Sequence, residues 1–138
     1  MMIEIESVLP HRPPFLWIDR ILSIEPGSRC VSTKHIDPQA PFFAGHFPGD
    51  PILPGVFLIE AAAQTAGVMM GASGTGADSE KRLAAVNAFK FLRPVRPDDS
   101  VEIETELLVE RDGMAVVAAV ARVAGEVVAK GQLTVVSR

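Results

Sequence analysis

Gly55–Met70 reads GVFLIEAAAQTAGVMM, and the fold turns on this stretch. It holds good helix formers, has no interior proline and is apolar on nearly every side, with Glu60 as its one charged residue. A helix of that kind is buried rather than laid on a surface. Ala61, Ala62, Ala63 and Ala66 let neighbouring backbone come close, and Pro54 suits a helix entrance. Downstream, Gly71–Asp78 (GASGTGAD) reads as a flexible loop. Four strand-like runs follow: Leu83–Phe91, Val101–Val109, Met114–Val123 and Glu126–Val136. Arg111-Asp112-Gly113 and Ala124-Gly125 supply the last turns, and Val101-Glu102-Ile103-Glu104 alternates as a half-buried strand does. Upstream, the residues through Val8 form a short helix. Phe15–Ile24 reads as a strand ended by Pro26-Gly27, and Arg29–Ile36 as a strand exposed on one side. The pattern is α+β: a curled antiparallel sheet wrapped around a central buried α-helix, with successive strands paired as a meander.

The chain has 138 residues, a length that fits one domain over 1–138. Its hydrophobic content of 48% exceeds what a lone small core requires. The surplus points to an oligomer interface or an apolar ligand channel. It does not read as a membrane span, because Glu60, Gln64 and several glycines interrupt the low-charge run Ile52–Ala77. Net charge is −4, which argues against a nucleic-acid partner. The single cysteine, Cys30, excludes an internal disulfide framework and a cysteine-based metal site. The acidic N-terminus, with Glu4, Glu6 and Pro10, does not resemble a signal peptide, so a cytoplasmic location is expected. Lys90, Arg93 and Arg96 form a local basic cluster that reads either as a solvated strand edge or as a dock for an acidic carrier protein.

Candidate chemistry concentrates in Phe42–Gly67, FFAGHFPGDPILPGVFLIEAAAQTAG. His46 sits before the Pro48-Gly49-Asp50-Pro51 turn, flanked by Phe42, Phe43 and Phe47. An imidazole in an apolar, stiffened loop favours its neutral form and is a competent general base. It equally suits a histidine that braces the loop by bonding a carbonyl. Glu60, in apolar surroundings, is paired, protonated or facing a cavity. A protonated carboxyl there suits a general acid, while an interface ion pair is the alternative. Gln64 lies one turn on, placed to orient that carboxyl or a water. Gly55 and Val56 open the helix, either as an ordinary helix start or as amides that meet a carbonyl oxygen gaining negative charge. His11 and His35 read as structural, and Arg12 and Arg20 as structural ion-pair partners.

The segment resembles the signature of the FabZ-type (3R)-hydroxyacyl-acyl-carrier-protein dehydratases, close to HFPxxPxxPGVLxxEAxAQ. The likeness continues in Leu9-Pro10-His11-Arg12, Pro14-Phe15-Leu16, Ile18-Asp19-Arg20 and Phe89–Val95 (FKFLRPV) with Pro97 and Asp99. It implies a hot-dog fold and a homodimer with active sites at the shared interface, often assembled as a trimer of dimers. It also implies His46 as base, Glu60 as acid, Gly55 as oxyanion donor, Phe47, Val56 and Gln64 beside the substrate, and no metal or organic cofactor. The substrate would be an acyl-carrier-protein thioester, with a coenzyme A thioester as the variant. FabA-type enzymes, which also isomerise the double bond, carry Asp where Glu60 stands. The chain departs from the family in lacking tyrosine altogether, where a gating tyrosine often lies near Arg82. Pro14 and Asp98 also stand where tyrosine and glycine are frequent, and Lys34–Ala40 diverges. A hot-dog thioesterase and a non-catalytic acyl-thioester binder are the competing readings.

Overall fold

The computed structural model describes residues 4–45, 49–72 and 81–137. In chain order the elements are α1 (Ile5–Val8), β1 (Arg20–Glu25), β2 (Arg29–His35), a 3-10 turn (Pro41–Ala44), α2 (Val56–Gly71), β3 (Lys81–Phe91), β4 (Ser100–Arg111), β5 (Met114–Val123) and β6 (Glu126–Ser137). The strands form a six-stranded sheet in the order β1-β2-β4-β5-β6-β3, antiparallel throughout. This is the helix-in-curled-sheet arrangement expected from the sequence. α2 packs on β2, β4, β5 and β6, with Ala61, Ala62, Ala66, Val68 and Met69 buried against inward-facing Cys30, Val101, Ile103, Val117 and Leu133. Small residues in the middle of α2 let the helix lie close to the sheet, and the alternation of β4 places Val101, Ile103 and Thr105 inward.

Both predicted tight turns are present for a backbone reason. Asp112 and Gly113 have φ of 53° and 79°, and Ala124 and Gly125 have 51° and 81°. Two successive left-handed residues make the hairpin turn whose twist matches that of the strands it joins. Asp98 also takes the left-handed conformation, at φ 72°. Aspartate is among the few side chains that tolerate it.

Two expectations are corrected. The four last strands are not one meander: β4-β5-β6 is, but β3 pairs with β6 on the far side. β4 is already flanked by β2 and β5, and the segment from Leu92 to Asp99, with Pro94 and Pro97, carries the chain across instead of turning it back. Nor does the first strand begin at Phe15. The amides of Phe15 and Leu16 both bond the Arg12 carbonyl, and the Phe15 carbonyl and Trp17 amide bond the Gln64 side chain. With those backbone groups used, strand pairing starts only at Arg20.

β3 is an edge strand with an internal irregularity. Its register with β6 shifts between Asn87 and Lys90, and Ala88 there has φ 52°. Gly131 faces this bulge, where a Cβ would lie 2.6 Å from Phe89 Cα. Only glycine fits so close to another backbone.

Candidate functional site

Glu60 lies in the first half of α2, before the helix becomes enclosed on all sides. Its side chain is 26% exposed and lines a small cavity of about 60 Å³ with Leu9, His11, Ala63, Gln64, Arg82 and Leu83. Gln64 is almost completely buried, and every polar atom of its amide is used. Its Oε1 accepts from the Trp17 amide at 2.7 Å. Its Nε2 donates to the Phe15 carbonyl at 2.9 Å and to Glu60 Oε2 at 2.7 Å. The backbone donor at Trp17 fixes which end of the amide is oxygen, so the group facing Glu60 is a donor. The i, i+4 spacing seen in the sequence thus becomes a locked carboxyl.

The helix entrance is built by close packing. Phe57 and Leu58 amides bond Pro54 and Gly55 carbonyls, which leaves the amides of Gly55 and Val56 ahead of the first turn with no helical acceptor. A Cβ on Gly55 would lie 2.8 Å from Phe91 Cε1, so the glycine lets the Phe91 ring cover the helix start. Val56 is 67% exposed. Beside it an apolar cleft of about 340 Å³ is lined by Ile52, Leu53, Gly55, Leu58, Ile59 and Phe91. Phe42, Phe57 and Trp17 form an aromatic group with ring centroids 4.4–5.9 Å apart, which supports the chain leading to Gly45. His46 and Phe47 lie outside the described residues.

The three cations of the basic cluster do not act as one patch of spare charge. Arg93 pairs with Glu126 at 2.8 Å, and Arg96 pairs with Asp50. Lys90 stands opposite Lys130 in the β3–β6 register, and both line a shallow groove on the sheet. Arg12 is the structural residue expected, pairing with Glu6 and bonding the Leu9 carbonyl. Arg20 makes no ion pair among the described residues, so that expectation is corrected. It sits exposed at the start of the edge strand β1.

His11, read from the sequence as structural, lies at this site. Its Nε2 lies 3.8 Å from Glu60 Oε2, in the same cavity. The one available signal was its place in the Leu9-Pro10-His11-Arg12 opening, since 49 residues separate it from Glu60 in the chain. Among the described residues no group of three or more His, Cys, Asp or Glu side chains is arranged to hold a metal ion.

A curled sheet around one buried helix, with a carboxyl on the helix facing a cavity, defines a hot-dog protein. Residues 9–132 match the FabA-like domain model, and the chain belongs to that family. Among curated relatives, the 3-hydroxyacyl-[acyl-carrier-protein] dehydratase FabZ of Acetivibrio thermocellus is 44% identical over 95% of this chain and 90% of its own. The enzyme of the same name from Syntrophotalea carbinolica is 42% identical over 98% and 92%. Of solved structures, the dehydratase heterocomplex ApeI:P from Xenorhabdus doucetiae superposes with a TM-score of 0.83 at 18% identity, covering 100% of this chain and 93% of that one. A hypothetical thioesterase with coenzyme A from Streptococcus pneumoniae gives 0.66 at 15% identity, over 86% and 84%. At these identities the structural likenesses speak for the fold.

Proposed function

We propose that this chain dehydrates (3R)-3-hydroxyacyl-[acyl-carrier-protein] thioesters to trans-2-enoyl thioesters, in fatty acid or related acyl-chain biosynthesis in the cytoplasm. The observation that carries the reading is Glu60, a carboxyl on an apolar helix, oriented by Gln64 and turned into a cavity. The dehydratases named above share roughly two-fifths of the sequence. In the reaction His46 takes the C2 proton, whose acidity comes from the thioester carbonyl. The C2–H electrons become the C2=C3 bond, the C3–O bond breaks, and Glu60 gives its proton to the departing hydroxyl, which leaves as water. The Gly55 amide holds the enolate-like oxygen, a contribution typically worth ~3 kcal/mol. Val56 and Phe47 border the acyl group. No metal or organic cofactor enters the reaction.

A homodimer fits the surface. Strand β3 is at the sheet edge, and Leu83, Val86 and Phe91 on it, with Leu92 next to it, are each 40–50% exposed. A long apolar edge of that kind needs covering. The family resemblance implies active sites shared across such a dimer and extends the assembly to a trimer of dimers. The acidic carrier docks at Lys90, Arg93 and Arg96, where the exposed pairs with Glu126 and Asp50 are weak enough to exchange.

The test is hydration of a trans-2-enoyl thioester, followed by loss of conjugated enoyl absorbance, on carrier-protein and coenzyme A thioesters. Turnover by the native protein, abolished in His46→Ala, is expected. Release of free thiol would instead indicate a thioesterase, and an inactive native protein a binding module.

A further inference from the structure

The cavity beside Glu60 holds a second titratable group that the reaction as described does not use. Leu9, two residues before His11, packs against α2 where Gly67 has no side chain; a Cβ there would lie 2.8 Å from Leu9 Cδ2. The His11 ring stacks on Phe15 with centroids 5.7 Å apart and planes 17° from parallel. Its Nδ1 is buried and has no hydrogen-bond partner among the described residues, while Nε2 faces Glu60 Oε2 at 3.8 Å. A neutral imidazole has one N–H. Burying that N–H unpaired is rarer and costlier than burying an unshared acceptor, so the proton belongs on Nε2. His11 therefore presents a donor to the same oxygen that Gln64 already contacts at 2.7 Å.

We propose that His11 is a positioning residue for Glu60: with Gln64 it holds Oε2 as the carbonyl oxygen, which places the proton to be donated on Oε1. This rests on the reading of Glu60 as general acid. The carbonyl oxygen of a carboxylic acid is its stronger acceptor, so two donors aimed at Oε2 select one of two otherwise equivalent oxygens. The 3.8 Å separation closes by about an ångström when substrate fills the site, as loose hydrogen bonds in unliganded sites commonly do. Arg82 of β3 is the other charged side chain lining the cavity among the described residues, and Gln64 is the neighbour from α2 itself.

The experiment is steady-state dehydration of a 3-hydroxyacyl-carrier-protein thioester by the full chain, for His11→Phe, His11→Gln and Glu60→Gln. Phenylalanine keeps the stack on Phe15 and the volume but has no donor; glutamine offers an N–H near the position of Nε2. His11→Phe should lower kcat about 10-fold or more with KM little changed. His11→Gln should recover most of the lost kcat. Wild-type kcat in a folded His11→Phe, a change confined to KM, or a loss that a folded His11→Gln fails to restore would each overturn the proposal. If His11→Phe fails to fold, His11→Gln decides alone: near-native kcat supports the proposal, and a folded variant with lowered kcat overturns it. Glu60→Gln reports separately on the parent reading, which fails if that variant turns over like wild type.

Discussion

Two polar groups on adjacent residues of α2 meet opposite fates. Thr65 donates to the Ala61 carbonyl at 2.7 Å and meets the Ser32 hydroxyl at 2.7 Å, with both side chains fully buried. Because the threonine proton is used on Ala61, Ser32 is the donor between them, and the pair is satisfied and dry. One residue earlier, Gln64 holds Glu60 at the wall of a cavity, and His11 beside them keeps a nitrogen with no partner among the described residues. Buried polar groups are normally paired, so the first cluster is what a stable core requires. The second is left incomplete where a ligand can reach it. The same helix thus anchors the sheet with one face and presents chemistry with another.

Breaking the second cluster should cost activity, and breaking the first should cost stability. Glu60→Gln is expected to reduce dehydration by roughly 10²-fold or more, with the melting temperature close to native. Gln64→Leu should harm both. It strands the Trp17 amide, the Phe15 carbonyl and the carboxyl, at a cost of about 1–3 kcal/mol for each buried group left unpaired, read as a lower denaturant midpoint alongside slower turnover. Thr65→Val leaves the Ser32 hydroxyl unpaired and should cost about 1–3 kcal/mol while kcat stays near native. Thr65→Val losing activity without stability would undo the comparison.

Two smaller effects sharpen the contrast on the sheet itself. Burial pushes the Cys30 thiol up to about 12, so it should resist alkylation at pH 8 until the protein is unfolded, as a thiol-labelling time course will show. On the outer side, the Arg122 hydrogen bond, with help from Arg29, holds the Glu104 carboxyl below its ordinary value. A depressed carboxyl contributes stability above its unfolded titration range and loses it as pH falls through the folded one. Glu104→Gln should therefore lower the unfolding free energy slightly at pH 7, by no more than ~1 kcal/mol, and converge on native in acid.

The difference between the clusters also marks what the sequence made legible. α2, both left-handed hairpin turns and the strands β4, β5 and β6 follow from local patterns, and Glu60 with Gln64 follows from helical spacing. The place of β3 did not, because its partner β6 lies beyond two intervening strands and nothing local distinguishes it from a meander strand. The strand expected from Phe15 failed because the side chain of Gln64, 47 and 49 residues away, takes the backbone groups a ladder would need. His11 was read as structural for the same reason: its contact with Glu60 exists only once that segment lies on α2.

The most direct test of Glu60 as the acid is to remove the need for one. A 3-fluoroacyl thioester expels fluoride, which leaves without first being protonated, whereas hydroxide does not. Glu60→Gln should eliminate fluoride within about tenfold of the native rate while dehydration of the 3-hydroxyacyl thioester falls roughly 10²-fold or more. Equal losses on the two substrates, or none on either, would contradict the assignment.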